Sequence, residues 1–301
     1  MTMQNTTVES FPIRTVAEIT GVNAVTLRAW ERRYGLIKPS RTAKGHRLYS
    51  RRDIQLIQKI LEHLKQGMSI SQISRAIIEN TSAEVSTGSG SWGHYSRRMI
   101  EAIVSFDEGA LDAVYNDAMS LYPVDIVTAR LIMPLLDQLG RRWETHTGSI
   151  AEEHFFSVYL RNKLGARFHH QNLKNAGPKL IVSCLPGEHH EFGILLFALT
   201  ANNRGYQIIL LGTDLPVEEL EHVVAKTECQ AIVLAGSASL DCEMLDQDIR
   251  TLTAQVNIPV FIGGDVAYTC RDHIARARAF ALGHDLAGSI NIINNQLNRL
   301  S

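Results

Sequence analysis

No stretch of the 301 residues approaches the ~20 consecutive apolar residues that a membrane-spanning helix needs. The start of the chain also lacks the basic-then-apolar pattern of a secretory leader. The expectation is a cytoplasmic protein with no membrane partner. Cysteine is scarce: Cys184, Cys229, Cys242 and Cys270 are the only four, they form no C-x-x-C pair and they lie scattered through one half of the chain. Reduced, mostly buried thiols are expected. Net charge is almost absent, at -1, while 45% of residues are hydrophobic and 20% charged. That is the composition of globular domains, not of a disordered tail, and the length calls for two domains or more.

The small net charge conceals a division along the chain. Residues 1–80 hold 13 Lys/Arg against 6 Asp/Glu, and the remainder holds 17 against 25. The basic end is the candidate for nucleic acid. From Arg28 to Arg52 there are nine basic residues and one acid, Glu31, denser than a solvated helix face requires, although basic tracts also serve solubility alone.

Within that end, Val16, Ala17 and Ile19 suggest a short helix broken at Gly21, and Asn23 can cap a second helix running through Trp30 to Tyr34. Leu27 and Trp30 are three apart and can face a core, whereas Arg28, Arg32 and Arg33 point elsewhere. Lys38 to Tyr49 has β-favouring ends around a basic, Gly45-containing tip, as a hairpin wing would. Ser50 with Asp53 can cap a third helix with an Ile54, Ile57, Leu61, Leu64 stripe ending at Gly67, and Ser69 with Gln72 starts a fourth. The strings TVAEITGV from Thr15, LRAWERRYGL from Leu27, GHRLY from Gly45 and the Asp53-Ile54 pair resemble the DNA-binding domain of the MerR family. The resemblance implies an N-terminal all-α winged helix-turn-helix over 11–80 that binds a double-stranded DNA operator. It assigns DNA contacts to Arg28, Arg32, Arg33, Lys44, Arg47 and Tyr49, with Trp30 in the core. Most such contacts would be to phosphates, which position the domain, and fewer to base edges, which specify sequence. For a single arginine the competing reading is a solvated helix face.

Residues 81–93 include STGSGS from Ser86, are poor in apolar side chains, and read as a flexible linker that lets the head reorient. Residues 94–172 show no strand pattern. Asp107 and Pro123 are natural helix starts, and the spacings Ile126, Leu131, Leu135 and Phe155, Val158, Leu164 suit a four-helix bundle. Near one end stand Trp143 and, ten positions on, Glu153-His154. By chemistry alone the Trp reads as packing and the acid–His pair as surface.

From residue 178 to 301, β-rich runs alternate with helical patterns: 179–185, 206–211, 231–235, 259–262 and 279–282. This predicts an α/β flavodoxin-like (Rossmann-type) domain with a five-stranded parallel sheet. Ligands of such sheets sit beyond the carboxyl ends of the strands where the winding reverses. The loop after the first strand, PGEHHEFG from Pro186, contains Glu188-x-His190-x-x-Gly193. Histidine suits a borderline metal, and a neighbouring carboxylate can accept its second N–H, fixing the tautomer and raising its basicity. Gly193 allows a large ligand to approach the backbone. Ser237 follows the third strand and Gly263-Gly264 the fourth.

This loop set resembles the cobalamin-binding domain of methionine synthase and the base-off mutases, whose signature is Asp-x-His-x-x-Gly, a Ser motif and Gly-Gly. By that resemblance His190 is the lower axial ligand of cobalt and Glu188 its orienting partner. Ser237, Gly263 and Gly264 line the slot for the nucleotide tail. Glu188 stands where the family has Asp, and GSASL from Gly236 leaves Ser237 and Ser239 as alternatives. The whole order of head, bundle and cobalamin domain, with Trp143, Glu153 and His154, resembles the CarH and LitR group of adenosylcobalamin photoreceptors. There the Trp covers the adenosyl group, and the Glu and His contact the same side. Glu144 departs from that group, whose well-known members carry a histidine after the Trp. The resemblance implies a light-controlled repressor, not an enzyme, acting as a homo-oligomer, a dimer or tetramer. Two alternatives are a cobalamin-dependent methyltransferase or mutase module, disfavoured by the DNA head and by the lack of a substrate-bearing barrel, and a MerR-like regulator no longer dependent on cobalamin.

Overall fold

The computed structural model describes residues 9–79, 90–144, 148–172, 175–237, 241–283 and 285–300. The chain falls into two compact units, 1–157 and 158–301.

Unit one opens with β1 (Ser10–Pro12), α1 (Ile13–Thr20) and α2 (Ala24–Tyr34). Gly21 closes α1 at φ 73, a left-handed cap that suits glycine, and the Asn23 side chain accepts from the Thr26 N–H to start α2. These are the predicted punctuation marks in their predicted roles. The wing is β2 (Ser40–Arg41) against β3 (Arg47–Ser50), with Gly45 at φ 80 in its tip. The head is not purely helical: β1 pairs antiparallel with β3, making a three-stranded sheet in the order β1-β3-β2. A three-residue strand has too few positions to show a period of two, so periodicity could not have found it. The Ser50–Asp53 capping box forms in full at the start of α3 (Arg51–Lys65). Ile54, Ile57, Ile60 and Leu64 are its buried stripe, so Ile60 takes the place predicted for Leu61. Ser69 and Gln72 exchange hydrogen bonds of 3.2 and 2.7 Å to open α4 (Ile70–Glu79).

Residues 81–89 of the predicted linker lie outside the described residues, and its last four are already helical, since α5 spans Gly90–Val104. Next come α6 (Glu108–Leu121), capped by Asp107, and a long rod of α7 (Val124–Val127), a π-helical turn over Thr128–Ile132 and α8 (Met133–Glu144). The helix α9 (Ile150–Asn172) completes four helical rods. Ile126, Leu131 and Leu135 are buried as expected. On α9 the buried residues are Phe156, Tyr159, Leu160 and Leu164, because Val158 points outward.

Head and helical segment share one compact unit. The Trp30 indole N–H donates to the Leu121 carbonyl at 2.8 Å, and the whole Trp30 side chain is buried. Arg33 pairs with Asp117 at 3.4 Å, and Arg130 donates to the Lys65 carbonyl. In this structure α2 is docked on α6 through a buried polar contact that water cannot replace without undocking the tryptophan.

Unit two contains β4 (Lys179–Cys184), α10 (Phe192–Asn203), β5 (Gln207–Gly212), α11 (Glu219–Lys226), β6 (Ala231–Ala235) and α12 (Cys242–Gln255). It continues with β7 (Val260–Gly263), α13 (Val266–Thr269), α14 (Arg271–Arg276), β8 (Phe280–Ala281) and α15 (Leu286–Leu300). All five strands run parallel in the order β5-β4-β6-β7-β8. Buried on both faces by Val, Ile, Leu and Ala, they need no polar alternation, which is why they read as continuous apolar runs. The order reverses between β5-β4 and β6, so the switch point lies beyond the carboxyl ends of β4 and β6. One expectation fails here. Cys242 and Cys270 are joined in a disulfide across 28 positions, with Cα atoms 5.3 Å apart, while Cys184 and Cys229 are free and buried as expected. Spacing along the chain could not reveal that pair, because the sheet brings the two ends together. Among the described residues no helix is long and apolar enough to cross a membrane.

Candidate functional site

The loop after β4 is fastened before any ligand is considered. Leu185 N–H donates to the Ala235 carbonyl at 2.9 Å, continuing the β4–β6 ladder by one residue. Gly187, at φ 74, donates to the Asp214 carboxylate at 3.0 Å, and Glu188 N–H closes a turn onto the Leu185 carbonyl at 3.1 Å. Sequence reasoning missed Asp214, which sits in the loop after β5 with no motif to mark it. At the far side of the loop Arg161 pairs with Glu191.

This scaffold buries Glu188, whose side chain is 4% exposed. One carboxylate oxygen accepts the backbone N–H of His190 at 2.8 Å and meets its ring Nδ1 at 2.6 Å. The other accepts the Ser237 N–H at 2.5 Å. Burial works against the charge, but the hydrogen bonds from His190 and Ser237 more than offset it and hold the carboxyl below its ordinary range. An ionised carboxylate can only accept, so Nδ1 carries the proton and the Nε2 lone pair is left for a ligand. The His190 side chain is 87% exposed. His189 is exposed as well, but Glu188 engages His190 and not its neighbour. Burial, then Glu188 and Glu191, push the Cys184 thiol beneath the loop up to about 12, so it is an inert packing group.

The neighbouring loops close the edge. Gly236 N–H donates to the Gly263 carbonyl at 3.2 Å, and Val266 N–H donates to the Gly236 carbonyl at 3.3 Å. Gly264 has φ +80, and a Cβ there would lie 2.3 Å from the Gly236 oxygen, so two bare backbones meet where no side chain fits. Around Gly193 a Cβ would meet nothing within 4 Å, so the protein's own packing does not demand that glycine. Ser239, the alternative to Ser237, lies outside the described residues.

In unit one, Gly148 N–H donates to the Arg142 carbonyl at 3.0 Å and Arg142 pairs with Glu152 at 3.4 Å. These contacts bring the end of α8, where Trp143 is the penultimate residue, against the opening turns of α9, which carry half-buried Glu153 and exposed His154. Residues 145–147 between them lie outside the described residues.

On the head, Arg28, Arg32 and Arg33 are exposed on α2 and Lys44 is exposed at the tip of the wing. Arg47 is held at 2.5 Å by Glu31, which also pairs with Arg41 at 3.0 Å. Tyr49 is fully buried, and burial, then the Glu31 charge, raise its phenol to about 12. It is therefore core in this structure and presents no atom to a duplex, contrary to the role the family pattern assigned. Arg47 ties α2 to the wing through its Nε.

No group of three His, Cys, Asp or Glu suited to a bare metal ion occurs among the described residues. One His backed by one carboxylate instead suits a metal that brings its own macrocycle and needs a single axial donor. The Gly236–Gly264 approach likewise suits a slot for a flat tail.

Residues 11–79 match the model of the MerR HTH family regulatory protein, and residues 95–167 match the B12 binding domain. The chain is 28% identical over 284 residues to the HTH-type transcriptional repressor CarH of Myxococcus xanthus, covering 91% of this chain and 94% of that one. To the HTH-type transcriptional repressor CarA of the same organism it is 27% identical over 280 residues, with 92% of each chain covered. The monomethylamine corrinoid protein of Methanosarcina barkeri matches in structure with a TM-score of 0.53 at 20% identity, covering 67% of this chain and 97% of that one, which is a likeness of fold. Sequence and fold converge: the chain is a transcriptional regulator with a MerR-type HTH and a B12-binding domain, related to CarH and CarA.

Proposed function

We propose that this regulator is a repressor that binds its operator as an oligomer when loaded with adenosylcobalamin and releases it in light. The carrying observation is the buried Glu188 carboxylate on Nδ1 of His190, which leaves the outward Nε2 as a lower axial donor. When bound, adenosylcobalamin supplies a cobalt–carbon bond that light can break. In this reading Ser237, Gly263 and Gly264 line the tail slot, Gly193 leaves room beside the lower face, and Trp143, Glu153 and His154 belong to the adenosyl side. Arg28, Arg32, Arg33 and Lys44 provide the DNA contacts. The switch works by linkage: a ligand that favours the oligomer also favours multivalent DNA contact, since tethered heads raise one another's effective concentration.

The test is the absorption spectrum of purified protein incubated with adenosylcobalamin in darkness and then illuminated, alongside His190→Ala and His189→Ala. Wild type and His189→Ala should retain the cofactor through a desalting column with a histidine-ligated spectrum that changes on illumination, and His190→Ala should lose most of it. Retention by His190→Ala with loss by His189→Ala would overturn the assignment.

A further inference from the structure

The disulfide lies where the site would feel it. Cys242 is the first residue of α12 and follows the β6 loop that carries Gly236 and Ser237. Cys270 ends α13 and follows the β7 loop that carries Gly263 and Gly264. At their near ends these loops are held by the two Gly236 backbone hydrogen bonds, and at their far ends by the sulfur bridge. The segments after β6 and β7 are thus tied at two places, at Gly236 and at Cys242, with the proposed tail slot beside the first. Cys270 is fully buried, and Cys242 is half-buried, so a reagent reaches Cys242 first. The other two cysteines are free and buried. Disulfides in proteins that work on DNA are rarely static staples, because the glutathione and thioredoxin pools of that compartment keep thiols reduced. A pair already at bonding distance there is a couple that responds to redox poise.

We propose that Cys242 and Cys270 form a reversible thiol–disulfide site, oxidised by exchange with a low-molecular-weight disulfide, whose bridge ties the start of α12 to the end of α13 and so couples to the cobalamin tail slot at Ser237, Gly263 and Gly264. In the forward direction the Cys242 thiolate attacks one sulfur of the small disulfide and expels one small thiolate. The Cys270 thiolate then attacks the Cys242 sulfur of the mixed disulfide and expels the second. The protein loses two protons and two electrons, and the small disulfide is reduced to two thiols. The coupling to cobalamin rests on the function proposed above; the thiol couple does not.

Full-length protein equilibrated in glutathione buffers of graded poise, acid-quenched, alkylated and mapped by mass spectrometry reads the couple. Cys242 and Cys270 should lose their alkyl groups together as the buffer becomes oxidising, while Cys184 and Cys229 stay alkylated throughout. The site is refuted if Cys242 and Cys270 remain alkylated in the most oxidising buffer, or if the bridge survives the most reducing one. The coupling is read on desalted protein in darkness, by uptake and release of adenosylcobalamin. Both rates should be about tenfold slower in the oxidised form, in which α12 and α13 separate less often. Cys242→Ser should behave as the reduced form in every buffer. Equal rates in the two states, with uptake intact, overturn the coupling and leave the cobalamin reading standing. No uptake in either state sinks that reading and the coupling together, while the alkylation pattern still decides the couple.

Discussion

At the scale of single residues, Glu188 decides whether His190 is a poised donor or a loose surface side chain. Replacing it by Gln keeps the size but removes the charge that accepts three N–H groups. Cobalamin affinity should fall about 10–100-fold, the usual cost of losing a partner behind a metal ligand, as measured by absorbance titration. A loss no greater than that of His189→Ala would show that Glu188 does not position the ligand. The pH dependence has a definite sign. The folded-state pKa of Glu188 is lowered from 4.5, so its stabilising contribution is present above that value and is lost as pH falls through the depressed pKa. The loop should therefore hold through neutral and mildly acidic pH, and hydrogen exchange at Ser237 should accelerate only below the ordinary carboxylate range. The residue pattern behind this, an acid two positions before a histidine, was legible in the sequence. That its second oxygen is satisfied by Ser237 was not, because the partner lies 49 positions away.

Among the elements, the β6 and β7 loops and α2 carry the clearest consequences. Gly264→Ala places a Cβ against the Gly236 carbonyl in a left-handed backbone region. It should destabilise the α/β unit by about 2 kcal/mol or more, read as a shift in its urea midpoint, and a shift near zero would mean that the loops yield freely. On the head, Arg32→Ala with Arg33→Ala should weaken operator binding and flatten the salt dependence by about 0.9 in logarithmic slope for each phosphate no longer neutralised. An unchanged slope in a filter or mobility assay across salt concentrations would remove α2 from the duplex. Cap residues announced these elements well: Asn23, Gly21, Ser50 with Asp53 and Ser69 with Gln72 act within four residues of their own position, where sequence is informative. Tyr49 shows the limit. A β-strand places alternate residues on opposite faces, and only the packing of the head shows that this one faces inward.

For the whole molecule, the docking of α2 on α6 links the DNA head to the helical segment that matches the B12 binding domain. Trp30→Phe removes the indole donor and leaves the Leu121 carbonyl without it, which should cost about 1–3 kcal/mol in the denaturant stability of the head-and-bundle unit. No change in that unit, measured by its intrinsic fluorescence or far-ultraviolet dichroism, would show that the hydrogen bond is dispensable. If cobalamin acts through assembly, dark operator binding should be steep in protein concentration and should collapse on illumination, together with a drop in mass by light scattering. DNA binding that persists in light at unchanged mass would sink the photoregulatory reading.

By itself the sequence determined the division into a basic head, a helical segment and a parallel α/β domain, because charge, helical period and buried strand runs are local properties of neighbouring residues. It also determined the Glu188-x-His190-x-x-Gly193 loop, whose chemistry is contained in eight consecutive positions. Tertiary structure alone decided which partners meet across long separations: Ser237 on Glu188, Asp214 on Gly187, Trp30 on Leu121, and Cys242 on Cys270. Each of those pairings joins segments that the chain brings together only after its strands and helices have packed, and no period or cap along the sequence records which of them will be neighbours.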